Sequence, residues 1–89
     1  MLSENIVIIN KLGLHARAAA KFVSTATSFE SKIKISKDDR TVDGKSIMSV
    51  MMLAASCGTT INIETNGPDE QEALQAIKDL INDKFGEGE

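Results

Sequence analysis

"SKIKISKDDRTVD", residues 31–43, decides how this chain folds. Ile33 and Ile35 alternate strictly with Lys32 and Lys34. A strand turns successive side chains to opposite faces, so the pattern predicts a half-exposed strand over 31–36. "KDDR" supplies turn residues and "TVD" a short returning strand. The resulting hairpin has one polar face, and such a sheet needs cover only on the other.

The flanking segments supply that cover. "NIVIIN" (5–10), a β-branched run between polar residues, reads as a buried strand, and "TTINIET" (59–65) alternates with Ile61 and Ile63 inward. From Ala16 the apolar positions Ala19, Ala20, Phe22, Val23 and Ala26 follow helical spacing to near Thr27. Ser46 opens a second helix, "IMSVMMLAAS" (47–56), closed by Gly58. "NGP" breaks the chain, and Asp69 is expected to cap a third helix, with Glu72 completing a capping box. Leu74, Ile77, Leu80 and Ile81 form its apolar stripe, and the terminal "GEGE" is expected to fray. The order β-α-β-β-α-β-α predicts an α+β fold of two layers in one domain, 1–89, an antiparallel sheet with helices on one side.

Composition excludes several function classes. Apolar residues make up 42% and charged residues 26% of the 89, as in ordinary soluble globular proteins. No stretch approaches the roughly 20 apolar residues of a membrane span, so no membrane insertion is expected. The first ten residues lack a basic signal-peptide region, one Cys forms no internal disulfide, and the cytoplasm is the default. A structural zinc site needs about four ligands, and one His with one Cys supplies too few. Cys57 reads as a small apolar residue near the end of the second helix. The sequence has no P-loop or dinucleotide fingerprint, and no predicted strand carries an aromatic residue for stacking RNA bases, so no cofactor and no nucleic acid are expected. Charge is uneven: +3 over residues 1–50 and −6 over 51–89, for a net −3. The basic part surrounds the only histidine, His15, and suits an acidic or phosphorylated partner.

His15 lies where a loop, "NKLGLHAR" (10–17), turns into the first helix. The N–H groups of Ala16, Arg17 and Ala18 are among that helix's orphan donors, and with the helix dipole they form an anion site. A neutral imidazole is a nucleophile, and a phosphoryl group it accepted would find those donors and Arg17 beside it. The alternative is a capping histidine without chemistry, and the residues alone leave both open. The second helix is apolar from Ile47 to Ala55 except at Ser49. A helix on one side of a sheet buries one stripe. Val50, Leu53 and Ala54 are expected to form it, leaving Ile47, Met48 and Met51 as a Met-rich patch suited to docking partners.

"GLHAR" (13–17), "GKSIMSVMMLAAS" (44–56) and "GPDEQEAL" (67–74) resemble the histidine-containing phosphocarrier (HPr) family over essentially the whole chain. "NKLGLHAR" and "GPDEQEAL" are similar also to its nitrogen-related paralogue, NPr. The resemblance implies an open-faced β/α sandwich with sheet order 1-4-2-3 and three helices on one face. It implies that enzyme I, charged by phosphoenolpyruvate, phosphorylates His15 at Nδ1, and that His15 passes the group to EIIA components of the sugar phosphotransferase system. Arg17 matches the family's active-site arginine, and Ser46 the serine phosphorylated by HPr kinase/phosphorylase. Ile47, Met48 and Met51, with Ala20 and Lys21, match its docking surface. Such a protein is a monomeric phosphoryl carrier rather than a stand-alone catalyst. The family's motif usually has proline after the arginine, and this chain has Ala18. Alanine restores an N–H and gives up a fixed φ, so a looser loop with retained chemistry is expected. The alternative function is an NPr-like regulatory module controlled by phosphate at His15 or Ser46. A small hydrolase using His15 lacks a partner acid or nucleophile at recognisable spacing.

Overall fold

The structure, a computed structural model, describes residues 1–86, so the "GEGE" stretch lies outside the described residues beyond Gly86. Strand β1 (Leu2–Val7) is followed by helix α1 (Ala16–Thr27), strands β2 (Lys32–Lys37) and β3 (Arg40–Asp43), helix α2 (Ile47–Met52), strand β4 (Thr60–Asn66) and helix α3 (Glu70–Asn82). A last helical turn, Lys84–Gly86, ends the described chain. The sheet order is β1-β4-β2-β3, with every neighbouring pair antiparallel. The register sets Ile6 opposite Ile61 and Ile35 opposite Ile63. Their side chains meet Phe22, Val50, Ile77 and Phe85 from the helical layer. No helix among the described residues is long and apolar enough to cross a membrane.

The other face of the sheet is polar, as the Lys32/Lys34 alternation requires. A row of Asn5, Asn62, Ser36 and Thr41 crosses all four strands, with Asn62 donating to Asn5 at 3.0 Å and the Ser36 and Thr41 hydroxyls 2.9 Å apart. This open face also corrects the reading of residues 5–10 as wholly buried. Ile6, Ile8 and Asn10 point inward, while Val7 and Ile9 are exposed on the uncovered side. The strand itself begins at Leu2, because β4 extends far enough to pair Thr65 with Leu2.

Helix α2 ends four residues short of the predicted 47–56. Ala54 adopts φ +52°, which turns the chain out of the helix. Ala55 is therefore buried in place of Ala54, which is exposed. Cys57 lies in the following turn, exposed rather than packed on a helix, and Gly58 ties that turn to the residue just after β1 by donating to the Ile8 carbonyl at 2.7 Å.

The start of α3 departs from the capping box. Asp69 is the N-cap but makes no side-chain cap bond. Its carboxylate instead accepts from the Ser31 hydroxyl at 2.5 Å and from the N–H groups of Ser31 and Glu30, each at 2.9 Å. Glu70, not Glu72, reaches back, accepting from the Gly67 N–H at 3.2 Å and from the N-terminal ammonium at 3.1 Å. Both carboxyls are held below the usual range: Asp69 by the Ser31 hydroxyl and the Glu30 N–H, Glu70 by the Gly67 N–H and the N-terminus. The third helix buries Ala73, Leu74, Ile77 and Ile81, with Leu80 only partly covered.

Candidate functional site at the head of the first helix

The loop that carries His15 is fixed by its neighbours on both sides. Asn10 is fully buried and brackets the turn: its side-chain amide donates to the Gly13 carbonyl at 2.8 Å, and its own carbonyl accepts from the Gly13 N–H at 3.1 Å. Gly13 has φ +66° and lies against the turn after α2, where a Cβ on it would sit 2.5 Å from the Ala55 carbonyl oxygen and 2.8 Å from Ser56 Cα. Only glycine meets both demands, a left-handed φ and an absent side chain. That same Ala55 carbonyl accepts from the Leu14 N–H at 2.8 Å, and the Leu14 side chain is buried.

His15 follows directly as the N-cap of α1, with extended backbone (φ −74°, ψ 178°). Its carbonyl accepts the Ala19 N–H at 2.8 Å, but its imidazole makes no cap bond to the helix. The first-turn donors are therefore not taken up by the capping side chain, as a serine or aspartate cap would take them. Ala16 and Arg17 are exposed beside the half-exposed His15. Ala18, expected to share in holding an anion, is fully buried at 0% exposure. Its methyl packs into the core beside Ala19 and Phe22.

Helices α1 and α2 run antiparallel, tied at one end by Leu14 to Ala55 and at the other by the Lys45 ammonium, which donates to the Phe29 carbonyl at 2.7 Å. His15 thus lies toward the end of α2 opposite Ser46, the two separated by the length of this six-residue helix, about 9 Å at 1.5 Å per residue. Ser46 is the N-cap of α2, its hydroxyl accepting from the Ser49 N–H at 3.4 Å. Between the two, Met48 and Met52 are 67% and 60% exposed, and Ile47 and Met51 39% each. Ala20 is exposed on α1, whereas the Lys21 ammonium reaches the Phe85 carbonyl at 2.6 Å and straps α1 to the last turn.

Two contributors carry no signal in the sequence. Lys37 donates to the Leu53 and Ala54 carbonyls at 3.2 and 3.4 Å, and Arg40 to the Met52 carbonyl at 3.4 Å. Both come from the β2–β3 hairpin and place positive charge at the negative end of α2. The role of Asn10 had a faint signal, a polar residue closing a β-branched run just before the loop.

Comparison with known proteins settles the family. A family model described as "PTS HPr component phosphorylation site" matches residues 2–83. The chain belongs to the HPr family. The phosphocarrier protein HPr of Neisseria meningitidis serogroup A is 60% identical over 89 residues, the whole of both chains. The crystal structure of HPr-C-His from Thermoanaerobacter tengcongensis superposes with a TM-score of 0.95 at 49% identity, covering 98% of each chain. An HPr dimer from the same organism matches with a TM-score of 0.79 at 49% identity, over 98% of this chain and 100% of that one. The HPr fold, an open-faced sandwich with strands in the order 1-4-2-3 and three helices, is the one described above.

Proposed function

We propose that this HPr-family chain is a cytoplasmic phosphoryl carrier that accepts a phosphoryl group from enzyme I on His15 and passes it to EIIA components. The observation that carries the reading is the position of His15 at the head of α1, with an imidazole that does not cap its own helix. A ring nitrogen attacks phosphorus, forming an N–P bond as the donor's bond to phosphorus breaks. The phosphoryl oxygens can then accept from the N–H groups of Ala16 and Arg17 and from the Arg17 guanidinium, hydrogen bonds strengthened by the phosphoryl charge. Transfer onward repeats the step in the other direction, the N–P bond breaking as the acceptor's nucleophile bonds to phosphorus. Ile47, Met48, Met51 and Met52, with Ala20, form the surface on which donor and acceptor proteins dock in turn.

Incubation with enzyme I and labelled phosphoenolpyruvate tests this reading. Acid-labile label on the parent and none on His15→Ala is the expected result. Label retained by His15→Ala would place the acceptor elsewhere. The variant should stay folded, because His15 is partly exposed and lies outside the buried core. Ser46, with its hydroxyl at the head of α2, is the proposed point of control by HPr kinase/phosphorylase. In an NPr-like regulatory module that control would outweigh phosphoryl flux, but the conserved HPr name of the relatives favours the carrier.

A further inference from the structure

We infer that Lys37 is a positioning residue for His15, acting through the backbone at the end of α2. The inference rests on the carrier reading of His15. Three consecutive carbonyls at the end of α2, those of Met52, Leu53 and Ala54, receive side-chain cations from one hairpin: Arg40 reaches the first, and Lys37 the second and third. Carbonyls in the last turn have no N–H donor left to them within the helix, so their partners must come from outside it. The next residue, Ala55, supplies the carbonyl that holds the Leu14 N–H and against which Gly13 packs. Lys37 therefore grips the chain one residue before the contact that sets the His15 loop.

The conformation it grips is one the chain resists. Ala54 is a non-glycine residue at φ +52°, a region disfavoured for a residue with a Cβ. Such a residue persists only where its surroundings hold it, and Lys37 is the side chain that binds its carbonyl. Released from the ammonium, the turn can relax toward an unstrained φ and carry the Ala55 carbonyl away from Leu14. His15 would then lose the orientation on which in-line attack depends, and small errors in placing a reacting group cost large factors in rate.

The rival explanation is that Lys37 offers only a charge near the docking face, and a split of kinetic constants separates the two. With the chain as the varied substrate of enzyme I, Lys37→Met is expected to lower kcat at least tenfold and leave KM within twofold. Lys37→Arg, which keeps a donor of similar reach, is expected to recover most of that loss. Hydrogen exchange at the Leu14 amide should quicken at least tenfold in Lys37→Met and remain slow in Lys37→Arg. A raised KM with unchanged kcat, or unaltered Leu14 exchange, would overturn the inference. Should Lys37→Met fail to fold, Lys37→Gln, whose shorter and uncharged side chain also removes the ammonium, carries the same comparison. A parent protein that accepts no phosphoryl group would defeat the carrier reading instead, while Leu14 exchange would still report whether Lys37 holds the loop.

Discussion

Gly13 and Ala55 approach so closely that the carbonyl oxygen of Ala55 would lie 2.5 Å from a Cβ on Gly13. This contact joins the His15 loop to the turn after α2. Gly13→Ala meets two penalties, a left-handed φ and a collision with backbone that has no rotamer to move, together about 2–5 kcal/mol. Gly58 is the control: it too has a positive φ, +91°, but nothing lies within 4 Å of its Cβ position. Urea denaturation should therefore show Gly13→Ala as the more destabilised of the two, with slower phosphoryl acceptance as well. Equal losses would mean that the Ala55 turn yields without cost.

Met48 is 67% exposed and should contribute to docking rather than to the core. Met48→Asp is expected to change stability by no more than about 0.5 kcal/mol, as for most surface substitutions. Its binding to enzyme I should weaken by more than about 1 kcal/mol, because an unpaired carboxylate would be desolvated in an apolar contact. Calorimetric titration beside a thermal melt measures both. An unfolded Met48→Asp would show that the residue belongs to the core.

Ser46 caps α2 through a long 3.4 Å bond to the Ser49 N–H. Aspartate caps as well as serine and brings negative charge to the positive end of the helix. Ser46→Asp should thus stay within about 1 kcal/mol of the parent in stability. Phosphorylation of His15 by enzyme I should slow, since the new charge lies beside Ile47 and Met48 and must be desolvated on docking. The Lys45 ammonium is engaged with the Phe29 carbonyl, which leaves it poorly placed to neutralise that charge. Timed assays on Ser46→Asp with an unchanged rate would reduce Ser46 to a cap.

Asp69 and Ser31 make stability depend on pH. The folded protein holds the Asp69 carboxyl below its ordinary value, through the Ser31 hydroxyl first and the Glu30 N–H second. The unfolded chain therefore binds the proton more readily, and stability rises with pH through this region. The contribution is complete above the ordinary carboxylate range and disappears as pH falls through the lowered folded value. Glu70, held down by the Gly67 N–H and the N-terminus, adds to it in the same direction. Denaturation series from pH 7 to pH 2 should show Asp69→Asn less stable than the parent at neutral pH and converging with it in acid. A constant difference across the series would contradict this linkage.

The elements of this fold were legible because their signals are local. The alternation around Ile33 and Ile35, the stripe through Ala19, Phe22 and Ala26, and the turn residues between β2 and β3 each lie within a few residues of one another. They report which face is buried whatever the neighbours are. His15 was legible for the same reason, since a loop ending in a helix start is a local pattern. The surface of α2 followed from a count: one helix on one sheet cannot bury every side of "IMSVMM".

What the tertiary structure alone decided are the contacts between residues far apart in sequence. Asp69 reads locally as a cap for its own helix, yet it serves Ser31, 38 residues away, because β2 passes beside the head of α3. Residues 53–56 read as more helix, yet the chain leaves the helix at Ala54, where Lys37, 17 residues away, meets its carbonyl. Packing buries Ala18 in the core, although nothing in its local pattern sets it apart from the exposed Ala20. Local pattern in this protein determined which segments are strands and helices and that His15 heads the first helix. Only packing could decide which backbone and side-chain groups reach one another, because a hydrogen bond is set by distance in space and leaves no periodicity along the chain.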